Sequence, residues 1–203
     1  MSTALLEKPL TANGAPAIPF ESLFRVSVSM YHEMIDAGIL GEDDRVELLE
    51  GVLVKKMPKN ASHRLAKMLL LKALERIMPS GWFISIEDPI TMSESEPEPD
   101  LAVVRGDVLD YSTRHPMVRD VAIVIEVSDT SLAVDQSTKR DLCAKESVAI
   151  YWIVNIPERR IEVYTDPSAS KYLSQIVYDG IQAVPVVLDG QSVGAIPVNE
   201  ILR

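Results

Sequence analysis

One run of residues, VAIVIEV at 121–127, limits the possible folds of this chain more than any other feature. An apolar run of this length with no polar face is typical of a strand that is covered on both faces of a sheet. Glu126 places a carboxylate within that run, where an unpaired charge is strongly disfavoured. We therefore expect Glu126 to be paired, protonated or bound to a cation. The alternative is a strand-end glutamate that reaches solvent or pairs with a lysine.

The patterns around this run predict an α/β fold with a mixed central sheet flanked by helices, preceded by an additional helix and hairpin and followed by a C-terminal hairpin. We expect one domain over residues 23–203, and a flexible tail over residues 1–22, which are proline-containing and aperiodic. The predicted helices cover residues 27–38, 60–78 and 135–146. The predicted strands cover 45–57 (a hairpin turning at Glu50-Gly51), 82–92, 100–105, 121–127, 149–156, 159–165 and a final hairpin of 171–178 with 181–188.

Composition narrows the functional classes. The chain has a single cysteine, Cys143, so no internal disulfide can form, and no apolar run approaches the roughly 20 residues that span a bilayer. The first residues lack the pattern of a signal peptide, and we expect a cytoplasmic protein without a membrane partner. The formal net charge of −10 argues against extended DNA binding, so any basic surface must be local.

A second acidic residue is predicted to lie beside Glu126. Asp100 opens the strand that precedes the strand of Glu126, and antiparallel pairing would place the start of one beside the end of the other. Two adjacent carboxylates repel, and a hard divalent cation stabilises such a pair. Oxygen ligands favour magnesium or manganese over zinc. The alternative for Asp100, which follows Pro99, is an aspartate that ends a loop.

Lys139 and His63 are two further candidates to lie beside this acidic pair. Lys139 lies about one turn into the helix that Asp135 is expected to cap, where the helix dipole disfavours a cation. This mild conflict favours a lysine placed beside the acidic pair, although a solvated lysine on an exposed face is the alternative. His63, at the start of the long helix, could approach the site or serve as a cap or surface residue.

The ordered motifs resemble those of the PD-(D/E)XK nuclease superfamily and, within it, the Uma-type family of putative restriction endonucleases. The matching strings are VELLEGVLV, EPDLAVV, VIEVSDTSL, the spacing D-x-x-x-K at 135–139 and YWIVN, and the likeness covers most of residues 27–165. The resemblance implies a restriction-endonuclease-like core and a magnesium-dependent phosphodiesterase. It also implies that Asp100, Glu126 and the backbone carbonyl of Val127 are metal ligands.

The resemblance implies two further site residues. The superfamily's lysine usually stands two places after the second acid, where this chain has Ser128. The resemblance implies that the lysine has moved to the following helix at Lys139. Glu47 corresponds to an additional acid that binds metal directly or through water, with Glu50 the less favoured choice. The chain departs from the family at Cys143, where an aromatic residue is usual, and at Ser147, where a glycine is usual.

These observations together predict a metal-dependent endonuclease that hydrolyses nucleic-acid phosphodiesters, with Mg²⁺ or Mn²⁺ as cofactor. DNA is the expected partner, although no residue selects DNA over RNA, and a homodimer is expected because double-strand cleavage often uses two copies. The alternative is a module that keeps the nuclease fold for nucleic-acid or protein binding without turnover. A carboxylate-pair hydrolase of sugars is the least favoured reading, since aromatic residues make up only 5% of the chain.

Overall fold

The computed structural model describes residues 22–203. The predicted tail at 1–22 therefore lies outside the described residues except for Ser22. The helices and strands follow in this order: α1 (Val28–Asp36), β1 (Val46–Leu49), β2 (Val52–Lys55), α2 (Ala61–Glu75), β3 (Trp82–Ile86), β4 (Leu101–Arg105), β5 (Val121–Ser128), α3 (Leu132–Val134, Asp135–Lys139 and Arg140–Lys145), β6 (Ile150–Asn155), β7 (Arg160–Ser168), β8 (Lys171–Asp179), β9 (Ala183–Leu188), β10 (Gln191–Pro197) and α4 (Val198–Ile201).

A six-stranded mixed sheet with the order β3-β4-β5-β6-β7-β8 forms the centre of the fold. Only β5 and β6 run parallel, and they are joined through helix α3, as a parallel pair requires a crossover. Strand β5 lies between β4 and β6, and all but one of its residues are buried. The predictions of a mixed sheet and of a central, doubly covered strand at 121–127 are confirmed.

The two faces of the sheet are covered by different elements. Helix α2, the β9–β10 hairpin and helix α4 pack on one face, where Trp152 and Leu70 are fully buried. The β1–β2 hairpin and helix α3 contribute Leu49 and Leu142 to the core on the other face. Neighbouring residues of β6 divide between the two cores, since Trp152 joins the first and Tyr151 the second.

The N-terminal helix and hairpin have the predicted caps and turn. The Ser27 side chain accepts a hydrogen bond from the Met30 N–H at the start of α1. The β1–β2 hairpin turns at Glu50 and Gly51, and both have positive φ, as a two-residue type I′ turn requires. Asn60 caps α2 by accepting from the His63 N–H.

The prediction of the C-terminal hairpin was wrong in its strands. The strand at 171–179 does not pair with the one that follows but extends the central sheet as β8, antiparallel to β7. The hairpin is formed instead by β9 and β10, and β10 was not predicted. Both Asp189 and Gly190 between them have positive φ. The sequence contains Asp-Gly at 179–180 and at 189–190, so this turn signal alone did not distinguish the two positions.

Two other boundaries differ from the prediction. The strand predicted over 82–92 ends at Ile86, because Glu87 takes a left-handed φ of 57°. It is an edge strand, as Pro89 indicated. The helix predicted to begin at Asp135 begins at Leu132. Asp135 therefore lies inside α3 and is not its cap.

Candidate functional site

The register of the central strands brings Asp100 and Glu126 together. Leu101 lies directly opposite Ile125 in the antiparallel β4–β5 pair, so the next positions outward are Asp100 and Glu126. Directly opposed residues of antiparallel strands project on the same face with Cβ atoms about 5 Å apart. Both side chains are buried, at 4% and 5% exposure. The predicted proximity of these two carboxylates is thus present. Asp100 also ends the loop that precedes β4, as the alternative reading of this residue stated.

Lys139 joins Glu126 to Glu47. Its Nζ donates to Glu126 Oε1 at 2.9 Å and lies 3.1 Å from Glu47 Oε1, with only 12% of its side chain exposed. Glu47 comes from β1, and its other oxygen accepts from the Glu98 N–H. The reading of Lys139 as a solvated surface lysine is therefore wrong. The alternative reading of Glu126, that it pairs with a lysine, agrees with its contact with Lys139.

The turn of α3 that carries Lys139 is a π-helix, Asp135–Lys139, between two α-helical segments. Single π-helical turns occur frequently at functional sites. The buried carboxylate of Asp135 accepts hydrogen bonds from Ser128 Oγ at 2.7 Å and from Ser131 Oγ at 2.6 Å. Ser128 stands two places after Glu126, where the resemblance led us to look for a lysine. Its hydroxyl links β5 to the helix that carries Lys139. The sequence reasoning missed this role of Asp135, although its i, i+4 spacing from Lys139 was visible.

Asp100 is held by three donors. Lys59 Nζ donates to Oδ1 at 2.8 Å, while the Val127 N–H and His63 Nε2 donate to Oδ2 at 2.8 and 3.0 Å. Burial raises the pKa of Asp100, but the hydrogen bond from His63 and the charge of Lys59 outweigh burial and lower it to about 2. Asp100 is therefore ionised at neutral pH, and His63 Nε2 must carry the proton.

His63 belongs to the site and is neither a surface residue nor a helix cap. Its side chain is buried against Asp100, while its backbone N–H, not its ring, takes part in the cap of α2. The ring Nδ1 is buried and has no hydrogen-bond partner among residues 22–203. Lys59 was not predicted at all. No local pattern distinguishes it from neighbouring lysines, and only the fold brings it to Asp100.

The pKa values at the centre of the site show an excess of negative charge. Burial raises the pKa of Glu126 well above its usual value; Lys139 opposes this, and the charges of Asp135, Asp100 and Glu47 add to it. Burial lowers the pKa of Lys139, but Glu126, Glu47 and Asp135 outweigh burial and raise it well above its usual value. Lys139 is thus protonated, yet one ammonium does not balance the carboxylates around it.

These side chains line one cavity of about 210 Å³. Its lining includes six carboxylates and four lysines: Glu47, Glu98, Asp100, Glu126, Asp129, Asp135, Lys55, Lys56, Lys59 and Lys139. At roughly 30 Å³ per water molecule, the cavity could hold a cation with several of its waters. Val127 does not line it, and its N–H rather than its carbonyl contacts Asp100. The ligand role of the Val127 carbonyl stays a prediction.

The donors of this cavity fit a hard divalent cation in their chemistry. Carboxylate oxygens are the ligands that magnesium prefers, and the raised pKa of Glu126 marks a place where more positive charge would be stabilising. In their present positions, however, no three His, Cys, Asp or Glu side chains within residues 22–203 are close enough to enclose a metal ion. Lys139 bridges two of the carboxylates, and Lys59 binds a third.

The sheet, its covering helices and the two terminal hairpins have a fold that is also found among solved structures. The chain is similar to a putative nuclease belonging to DUF820 from Anabaena variabilis ATCC 29413, with a TM-score of 0.65 and 15% sequence identity. The match covers 83% of this chain and 96% of that chain. At this level of identity the likeness shows the fold alone. A comparison with curated proteins gave no match.

The family follows from the sequence. The family model "Uma2: Putative restriction endonuclease" matches residues 28–197, which is most of the chain. The chain belongs to the Uma2 family, and the resemblance stated from its motifs is confirmed. Within residues 22–203, every helix is too short or too polar to cross a membrane.

Proposed function

We propose that this protein is a metal-dependent endonuclease that hydrolyses phosphodiester bonds of nucleic acid, with DNA as the first substrate to test. Membership of a family described as putative restriction endonucleases supports a nuclease. The observation that carries the finer proposal is the register of β4 and β5, which sets Asp100 opposite Glu126 at the cavity that also contains Glu47 and Lys139. Two acids and a lysine at one cavity suit phosphodiester hydrolysis, because the reaction needs both an activated water and stabilisation of phosphate charge.

Each side chain has a role that its surroundings support. Asp100 is ionised and fixed by three donors, which suits a permanent ligand. Glu126 has a raised pKa because it is buried among other carboxylates, so added positive charge at the cavity would favour its ionised form. Lys139 carries a firmly held ammonium and can orient a water or stabilise the charge of the phosphorane-like transition state.

Magnesium or manganese is the proposed cofactor. Asp100 and Glu126 would hold it, with Glu47 and the Val127 carbonyl as further donors. When bound, such an ion lowers the pKa of a water and neutralises charge on the scissile phosphate. In the structure Lys139 and Lys59 bind three of these carboxylates. For these carboxylates to hold an ion, at least one of the two amino groups would have to move away from its carboxylate.

The test is cleavage of supercoiled plasmid DNA with magnesium or manganese by the wild type, Asp100→Asn and Glu126→Gln. Wild-type cleavage that both substitutions abolish is the expected result. Glu50→Gln is the matched control, because Glu50 is also buried and paired with a lysine but does not line the cavity. Cleavage that persists in both site variants, or that is lost equally in the control, contradicts the assignment of the site.

A second function is favoured by the ion pairs themselves. Because Lys139 and Lys59 already bind the proposed ligands, the same fold could serve as a binding module that has lost turnover. Calorimetry with Mn²⁺ separates the two functions when it is combined with cleavage assays on single-stranded, duplex and branched substrates. Binding of nucleic acid without any cleavage, and without metal-induced heat, supports the module. Metal binding that Asp100→Asn abolishes, together with cleavage, supports the enzyme.

A further inference from the structure

One segment of this acidic chain has the opposite charge. Residues 51–74 contain six lysine and arginine residues and no aspartate or glutamate, whereas the whole chain has a formal net charge of −10. We call residues 51–74 the basic segment. Its cations are Lys55, Lys56, Lys59, Arg64, Lys67 and Lys72.

The fold places the basic segment at the mouth of the candidate site. The segment comprises the end of the β1–β2 hairpin, the connection that follows and most of α2. Three of its lysines, Lys55, Lys56 and Lys59, line the same cavity as Asp100 and Glu126. Helix α2 begins at this cavity, since Asn60 and His63 also line it, so the positive end of the helix dipole adds to the charge of the side chains.

Half of these cations are available to bind an anion. Lys55, Arg64 and Lys72 are exposed, and none has an ion-pair partner within the part of the chain that the structure describes. The other three are paired with acids at the cavity or beside it. These pairs are Lys56 with Glu98, Lys59 with Glu87 and Asp100, and Lys67 with Glu87.

A second basic cluster lies at the opposite end of β4, but its three arginines all have an acid as an ion-pair partner. Arg105 pairs with Asp189 and stacks on Trp82, while Arg114 and Arg119 both face Asp120. This cluster is also remote from the cavity, because β4 runs from the Asp100 end to Arg105. The basic segment is therefore the better candidate for a polyanion surface that serves the site.

We propose that the basic segment binds the sugar-phosphate backbone of the nucleic-acid substrate and guides it to the cavity. The proposal rests on the proposed function and names the surface that holds the substrate. Lys55, from the hairpin, supplies a phosphate contact at the cavity, and Arg64, from the first turns of α2, supplies one outside it. The negative surface elsewhere repels the substrate, so the polyanion is restricted to this one face.

The salt dependence of binding tests this surface. We would measure fluorescence anisotropy of a labelled DNA duplex with the full chain in EDTA, over about 0.05 to 0.3 M NaCl. Each phosphate contact contributes a slope of about −0.9 in log K against log salt. Lys55→Gln/Arg64→Gln should therefore flatten the slope by about 1.8 and weaken binding by roughly tenfold or more at 0.1 M salt.

The control double variant is Lys171→Gln/Arg119→Gln. It removes the same net charge from exposed positions away from the cavity, so it reports the effect of overall charge alone. An unchanged slope in this control supports the proposal. Equal effects in the two double variants overturn it, and so does a wild type that does not bind the duplex even at low salt.

The same measurements distinguish failure of this surface from failure of the enzyme. Binding in EDTA needs no hydrolysis, so it can be present in a protein that never cleaves DNA. Salt-dependent binding through Lys55 and Arg64 without cleavage in magnesium or manganese supports the surface and contradicts the enzyme. Cleavage that proceeds with an unaltered salt slope in Lys55→Gln/Arg64→Gln overturns the surface and leaves the enzyme standing.

Discussion

Replacement of Lys139 by methionine should make the stability of the protein strongly dependent on pH. The ammonium lies 2.9 Å from Glu126 and 3.1 Å from Glu47, almost entirely out of solvent. Two unit charges at 2.9 Å attract by about 6 kcal/mol at an effective dielectric constant of 20. Desolvation of the lysine offsets part of this attraction. Removal of one partner from a buried pair is expected to cost about 3–5 kcal/mol when the carboxylates stay ionised.

The carboxylates need not stay ionised, and this gives the effect its pH dependence. In the wild type the pKa of Glu126 is already raised, so its contribution to stability is complete below the unfolded pKa of about 4.5 and is lost as pH rises through the folded pKa. Without Lys139 the folded pKa rises further. At a pH between the folded-state pKa of Glu126 in the wild type and that in the variant, the folded variant holds one more proton than the folded wild type. In this range the stability of the variant falls relative to wild type by about 1.4 kcal/mol per pH unit.

Denaturant unfolding in EDTA, followed by circular dichroism, measures this difference. Because the pKa of Glu126 is raised, we expect a smaller loss at about pH 5 than at about pH 8, and the loss should approach about 3–5 kcal/mol as Glu126 of the wild type ionises. Lys145→Met is the control on the same helix, since the more exposed Lys145–Glu50 pair should contribute only about 1 kcal/mol. A loss for Lys139→Met that is the same at both pH values, or no larger than the loss for Lys145→Met, would refute the reasoning.

Three further predictions concern stability and turnover. Ser147 follows α3 with a φ of 66°, in the position where glycine ends a helix without strain, so Ser147→Gly should raise the free energy of unfolding by about 1 kcal/mol, measured from the denaturant midpoint. Ser128→Ala removes one of two hydroxyl donors from the buried Asp135 and should lower the free energy of unfolding by about 1–3 kcal/mol. In a cleavage assay this variant should lower kcat more than it raises KM. A loss of stability without a change in kcat would limit the contact to a structural role. Because the pKa of Asp100 is lowered from 3.8 to about 2, its ionised form adds about 2 kcal/mol to the free energy of unfolding above pH 3.8, and this stabilisation is lost as pH falls towards 2. The stability of Asp100→Asn should therefore fall less steeply with pH in this range than that of the wild type. An equally steep fall in the two proteins would contradict the assignment.

The central part of the site could be predicted because it depends on one short run of residues and on the pairing of two consecutive strands. The apolar run at 121–127 identifies the central strand, and the single carboxylate within it identifies an unusual residue. Asp100 stands at the start of the strand that precedes that run along the chain, so antiparallel pairing of consecutive strands was the simplest topology. The β4–β5 register confirms this antiparallel pairing, and the prediction did not depend on contacts with any other element.

The residues that the sequence did not place depend on contacts between distant elements. Lys59 and His63 reach Asp100 only because α2 begins beside β4, 37 to 41 positions away along the chain. The start of α3 was misplaced because Asp135 is a good N-cap residue by type, while in the structure its carboxylate binds the Ser128 and Ser131 hydroxyls. A capping preference is weak compared with a buried carboxylate that needs donors.

The net charge of −10, which argued against extended DNA binding, has a different meaning once the charges are located. Six carboxylates and four lysines line the cavity, so a phosphate that enters it meets excess negative charge. One divalent cation would cancel that excess, which makes close approach of a phosphate conditional on metal. The basic segment lies at the mouth of the cavity and can hold the backbone without metal. Binding and cleavage should therefore respond to different variables, the first to salt through Lys55 and Arg64 and the second to metal through Asp100 and Glu126.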